Sequence, residues 1–285
     1  MRNIILLFIT GFILSSVNAQ VAIPMAGHSA NINAKPIDDV QFIVQYQVKM
    51  ISDTLEPEKV SDELMILKAG SKSSVFYSYS NFVTDSMNNE RAKKSERDNI
   101  VKGGFLFMGV GILTSQIYKN YPEGKVTTLD RIAINSFRCE EENEVPSWQL
   151  LTDTMTIFSY YCQKAVCHFK GRDYEAWFTP EIPRSEGPWK LHGLPGLILK
   201  ASDSQGHYSF ECTGMVNADE KLLFGADGYE PISRNNLNKM CERFATDPAG
   251  YLTSSIPTSV NVIVVDKNEE KKSARNQPYN PIERD

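Results

Sequence analysis

The sequence predicts a mainly β protein of the β-rich α+β kind: a curved antiparallel sheet or half-barrel with one C-terminal helix. Three observations predict it. β-prone residues recur with a period of two, short clusters of turn formers separate those runs, and only one stretch has convincing helical spacing. No Pro/Ser/Gly linker divides the 285 residues. A single domain over residues 40–265 is therefore expected, with an extended C-terminal tail at residues 266–285.

The chain opens with Arg2, an apolar run from Ile4 to Leu14, and Ser16-Val17-Asn18-Ala19 ahead of Gln20. A charged start, a short apolar stretch and a small-x-small close mark residues 1–19 as a signal peptide cut after Ala19. The expectation is export to the periplasm or outer cell envelope of a bacterium. The apolar run is too short to span a bilayer and no later run is longer, so no transmembrane segment is expected in the mature chain. Residues 20–39 are small, polar and aperiodic, which predicts a loose, flexible lead-in.

Phe42, Val44, Tyr46, Val48 and Met50 alternate with Gln45, Gln47 and Lys49, the signature of a half-buried strand. Leu64–Ala69 and Ser74–Tyr79 are two more, joined by the turn-like Gly70-Ser71-Lys72-Ser73, so this part reads as a meander. Asp85 to Asp98 is polar and lacks β-branched residues, fitting a helix or an excursion between strands. Leu106 to Tyr118 resumes apolar character. Tyr121-Pro122-Glu123-Gly124 turns between Gln116–Asn120 and Lys125–Leu129, and Ile132–Arg138 continues the β signal. Two hairpins follow. One joins Val166–Phe169 to Tyr174–Phe178 about Lys170-Gly171-Arg172-Asp173; the other joins Leu197–Ala201 to His207–Cys212 about Asp203-Ser204-Gln205-Gly206. Ser233 is placed to cap a helix carrying Leu237, Met240 and Phe244 on one face, with Pro248 beyond its end.

The formal charge of −5 argues against a nucleic-acid partner, which calls for a basic face. The basic stretch Arg91–Arg97 is short and mixed in sign, as a solvated segment would be. The five cysteines, Cys139, Cys162, Cys167, Cys212 and Cys241, imply some disulfide pairing in an oxidising compartment. Cys162 and Cys167 are not expected to pair with each other, because five extended residues span about 16 Å and a disulfide wants its Cα atoms about 4.4–6.8 Å apart. Pairing across strands, or of Cys212 with Cys241, stays open.

Chemistry-bearing patterns are sparse. Cys162, Cys167 and His168 match no zinc spacing, and the four histidines form no HExxH pair, so no metal or cofactor is expected. No Gly-x-Ser-x-Gly elbow and no phosphate-cradling loop occur. The run Glu140-Glu141-Glu142 with Glu144 reads as a solvated loop, and Arg184 with Glu186 as an exposed ion pair. One segment stands apart. Trp189-Lys190-Leu191-His192-Gly193-Leu194-Pro195-Gly196-Leu197-Ile198 crowds two glycines, a proline, a Trp and a His before an apolar strand. Gly193, Pro195 and Gly196 read as a structural turn that fixes the approach to that strand. Trp177, Arg184, Trp189 and His192 are the candidate ligand-binding residues, since aromatics at a groove mouth suit an apolar ligand or a peptide.

These residues carry a resemblance. Trp177-Phe178-Thr179-Pro180-Glu181-Ile182-Pro183, Gly187-Pro188-Trp189 and the hexapeptide Gly193–Ile198 resemble the GLPGLI family of secreted bacterial proteins. Tyr161–Ala165, Phe169–Arg172 and the terminal Tyr279-Asn280-Pro281-Ile282-Glu283 match as well, so the likeness runs from Val40 to Glu283. It implies export, a β-rich fold and no catalytic assignment, since the family has no established activity. The strand order is also similar to lipoprotein-carrier-like half-barrels, a fold-level analogy only. The sequence therefore favours a non-catalytic binding, carrier or scaffold role at the cell envelope, with an outer-membrane protein or an apolar ligand as partner. The alternative is an uncharacterised hydrolase using the Trp177–Gly196 region.

Overall fold

A computed structural model describes residues 33–87, 113–255 and 279–284. The expected signal peptide, most of the lead-in, the basic Arg91–Arg97 stretch and residues 266–278 of the tail lie outside the described residues. Six strands form the first half: β1 (Lys35–Ile51), β2 (Val60–Ala69), β3 (Ser74–Ser78), β4 (Gln116–Lys119), β5 (Lys125–Ile132) and β6 (Asn135–Glu142). Six more follow: β7 (Gln149–Ile157), β8 (Tyr160–Phe169), β9 (Arg172–Thr179), β10 (Leu197–Asp203), β11 (Tyr208–Phe224) and β12 (Glu230–Pro231). Helical segments lie at residues 79–87 (α1), Arg234–Thr246 (α2) and Pro248–Ser255 (α3).

All twelve strands join one open sheet in the order β12-β6-β5-β4-β3-β2-β1-β11-β10-β9-β8-β7, antiparallel except where β12 lies parallel to β6. The mainly β, curved-sheet expectation holds. β1 runs near the middle of the sheet and pairs with β2 on one side and β11 on the other. Its alternation puts Phe42, Val44, Tyr46, Val48 and Met50 into the larger core, while Val40 and Ile43 pack on the opposite face. Phe76 on β3 and Phe210 on β11 are three strand steps apart, about 14 Å along a flat sheet. Their ring centroids nevertheless lie 6.4 Å apart. Closing that span needs a sheet curled toward the larger core and rings that lean inward.

The β9–β10 connection, residues 180–196, occupies part of the hollow of that curl. Lys119 on β4, five strand steps from β10, donates to the Gly187 carbonyl at 2.8 Å, so the connection reaches across the concave face as far as β4. Tyr46 Oη donates to the Ile198 carbonyl at 2.6 Å from beneath. Trp189, Leu191 and Leu194 of this plug are buried with the strand residues.

Several elements differ from expectation for physical reasons. β7 carries no sequence signal: most of its residues are exposed, so no hydrophobic period marks it. β1 starts at Lys35, before the apolar alternation, because its register with β11 already begins there with Phe224. Asp85 belongs to α1, and the C-terminal helix is joined by a second, α3. α2 forms as read: Ser233 caps it, its side chain accepting from the Asn236 N–H at 3.4 Å. The disulfide expectation is not met, because all five cysteines are free. Cys162, Cys167 and Cys212 pack in the main core, while Cys139 and Cys241 pack with α2 in a separate cluster. That division separates Cys212 from Cys241.

Candidate binding cavity

The plug does not fill the concave face completely. A cavity of about 420 Å³ remains between strands β1–β5, the plug, α2 and residues 279–283. That volume suits a small organic ligand. Its floor is apolar, with Met50, Met65, Phe76 and Ile117 projecting from β1 to β4, and Trp189 and Tyr208 flank it. Its polar end gathers Thr114, Ser115, Thr128, Asp130 and Arg234.

Asp130 sits on β5 and is 7% exposed. It accepts from Thr114 Oγ1 at 2.7 Å, Ser115 Oγ at 2.8 Å and the Arg131 N–H at 2.8 Å. Burial pushes its carboxyl up, against the pull of those donors and of Arg234. Arg234, in the first turn of α2, donates to Glu141 through Nε at 2.8 Å and to Thr128 Oγ1 at 2.8 Å. Glu141 also takes Lys190 at 2.6 Å. Burial alone raises Glu141, yet the two cations hold its carboxyl below the usual range. Lys190 bridges further to Glu283 at 2.7 Å. In the cavity lining Cys241 meets Tyr279, and burial pushes the Cys241 thiol up to about 12.

The segment 279–284 closes one wall. Its anchor is Arg172 at the start of β9, 3% exposed, whose Nη1 pairs with Asp203 at 2.7 Å. Its Nη2 reaches Asn280 Oδ1 at 2.7 Å and its Nε the Ile282 carbonyl at 3.1 Å. Tyr208 Oη donates to the Asn280 carbonyl at 2.7 Å. Of the expected C-terminal tail, the described residues 279–284 are docked against the domain.

The structure brings only one of the four candidate ligand-binding residues to the cavity. Trp189 lines it, held between Phe169 and Tyr174 with ring centroids 5.9 Å away in each case. Its backbone φ is +52°, uncommon for a bulky residue and sustained by that packing. Trp177 lies on β9 under Lys164, whose Nζ stands 5.6 Å from the ring centroid. Arg184 is half-buried in the plug without lining the cavity. His192 is buried, its Nε2 has no hydrogen-bond partner, and burial with nearby Lys119 lowers its imidazole to about 4. It does not line the cavity either.

The turn residues sit where the plug rejoins the sheet. Gly193 has φ +93°, and a side chain there would meet Val145. Gly196 needs no positive φ; a Cβ on it would lie 2.1 Å from the Thr179 carbonyl oxygen, so it serves close backbone approach. Pro195 lies between them.

Two sequence readings are corrected. Glu186 pairs with Lys119 at 2.6 Å, so Arg184 is not its partner. Glu141 is not solvated; it is the hub of the Lys190–Arg234 cluster. Asp130, Arg234 and Cys241 carry no local signal. The Tyr279–Glu283 match is the one available pointer to the closing wall. Among the described residues no three His, Cys, Asp or Glu side chains converge as a metal site. Among them, too, no helix is long and apolar enough to cross a membrane.

Residues 168–200 match a family of proteins of unknown function, Porph_ging. That stretch holds the β8–β9 turn, β9, the plug and the start of β10. No curated protein matches. Two solved structures are similar, both of PNGF-II, in space groups P21 and C2. The TM-scores are 0.45 and 0.44, at 13% and 16% identity, each covering 70% of this chain and 32% of the other. The chain thus spans about a third of the length of those proteins.

Proposed function

We propose that this protein is an exported, non-catalytic binding or carrier protein of the bacterial cell envelope, and that its ligand is a small apolar or amphipathic molecule held in the concave cavity. The observation that carries the reading is an apolar floor beneath one polar end, in a space of about 420 Å³. Export rests on the signal-peptide pattern of residues 1–19. The hexapeptide Gly193–Ile198 supports membership of the GLPGLI family. Within the plug it has a physical role, since the plug carries Trp189 across the sheet to form the cavity's flank.

The test is native mass spectrometry of protein purified from its own periplasm, paired with titration by the fluorescent apolar probe N-phenyl-1-naphthylamine. An adduct of small-molecule mass and saturable fluorescence, both lost in a cavity-filling Ala245→Trp variant, are expected. A clean apo mass together with no probe binding overturns the reading.

A further inference from the structure

The charges around the cavity are unbalanced. Its charged lining residues are Asp53, Asp130, Glu283 and one base, Arg234. Arg234 is already engaged by Glu141 and Thr128. Asp130 is held by hydroxyl and backbone donors and forms no ion pair among the described residues. Glu283 is 7% exposed; its Oε1 is tied to Lys190 at 2.7 Å, while its Oε2 accepts no hydrogen bond and has Arg234 Nε at 3.6 Å. Two deeply buried carboxylates border the cavity, Asp130 without an ion pair and Glu283 with one oxygen that accepts no hydrogen bond, and they favour an incoming positive charge.

The aromatic lining points the same way. Phe76, Trp189, Tyr208 and Tyr279 border the space. Ring faces attract ammonium groups, more strongly where water is excluded. Two of these rings already hold protein cations: Arg172 lies 4.7 Å from the Tyr208 centroid and Lys190 6.0 Å from that of Trp189. A carboxylate or phosphate head would meet Asp130 and Glu283 with no uncommitted cation to offset them. A neutral head gains apolar burial alone.

We propose that the cavity selects an amphiphile with an ammonium head, its alkyl part on Met50, Met65 and Phe76 and its head at the Asp130–Glu283 end. This rests on the reading of the cavity as a ligand site. The ammonium supplies the counter-charge that burial withholds from Asp130.

Displacement of N-phenyl-1-naphthylamine from the intact mature protein at neutral pH by octylammonium, octanol and octanoate tests it. Octylammonium should bind about tenfold tighter than octanol, with octanoate the weakest. Asp130→Asn should bring octylammonium level with octanol. Glu283→Gln should shrink the same gap, and it decides the matter if circular dichroism finds Asp130→Asn misfolded. If octanol displaces the probe and octylammonium does so no better, the head-group assignment is overturned and the cavity reading stands. If the probe does not bind and the native mass is also clean, both fall.

Discussion

Gly196→Ala isolates the physical reason for the plug's last turn. Gly196 abuts β9: an added Cβ would lie 2.1 Å from the Thr179 oxygen, 2.6 Å from its carbonyl carbon and 3.0 Å from Pro180 Cα. All three are backbone atoms, so no side chain can swing aside. Restoring ordinary contact moves the strand by about 1.3 Å, at the point where Leu197 pairs with Thr179. Overpacking of this kind costs up to about 3 kcal/mol, and a weakened ladder hydrogen bond adds about 1 kcal/mol. Gly193→Ala is the internal control. Its Cβ crowds Val145, a 57% exposed side chain that can rotate, and lies at ordinary contact distance from Trp148, leaving the cost of φ +93°, about 1–2 kcal/mol. Gly196→Ala should therefore lose about 2 kcal/mol more than Gly193→Ala. Urea unfolding followed by tryptophan fluorescence reads the difference, since Trp189 is 2% exposed in the fold. A Gly196→Ala protein within 1 kcal/mol of the parent, or a Gly193→Ala protein that is the less stable of the two, would refute the close-approach argument.

Further expectations follow from buried polar groups. Arg172→Leu strands Asp203, both side chains being 1% exposed, and should cost about 3–5 kcal/mol. Hydrogen exchange at residues 279–284 should rise with it, and continued protection there would mean the closing wall is held by something else. His192 is lowered from 6.5 to about 4, so the unfolded chain binds its proton first as pH falls. The stability from a neutral His192 is complete above about pH 6.5 and is lost between there and pH 4, by at most about 3 kcal/mol. His192→Asn should flatten that part of a denaturation-versus-pH curve; an unchanged slope assigns it to other groups. Cys167 and Cys212 are buried thiols pushed up to about 12. Iodoacetamide should leave both unmodified in folded protein and label all five cysteines in urea, whereas rapid native labelling at Cys212 would contradict its burial.

Local physics is legible in the sequence, and distant physics is not. The β8–β9 hairpin is readable because Lys170 and Gly171, at φ 49° and 73°, form the turn its own residues demand. The cap and apolar face of α2 are readable for the same reason. β7 escapes because exposed Thr154 and Thr156 carry no inward partner to set a period. At the site, Trp189 announces itself by its place before the hexapeptide. Asp130 and Arg234 do not, because they come from β5 and α2 and meet only through the tertiary fold. Glu141 looks solvated among neighbouring acids because the cations that neutralise it, Lys190 and Arg234, lie far along the chain.

The β1–β11 seam, running from Lys35 opposite Phe224 to Met50 opposite Tyr208, also governs how the molecule assembles in time. The two flanks of the sheet are largely ribbons of sequence neighbours, which close quickly. The seam joins segments on the order of 170 residues apart, so its loop-closure entropy must be met before any of its contacts form. Refolding is then limited by zipping two ready-made ribbons together. Substitutions along β1, or in the hairpin turns formed before the seam closes, should slow folding, while those at contacts made only after the seam chiefly quicken unfolding.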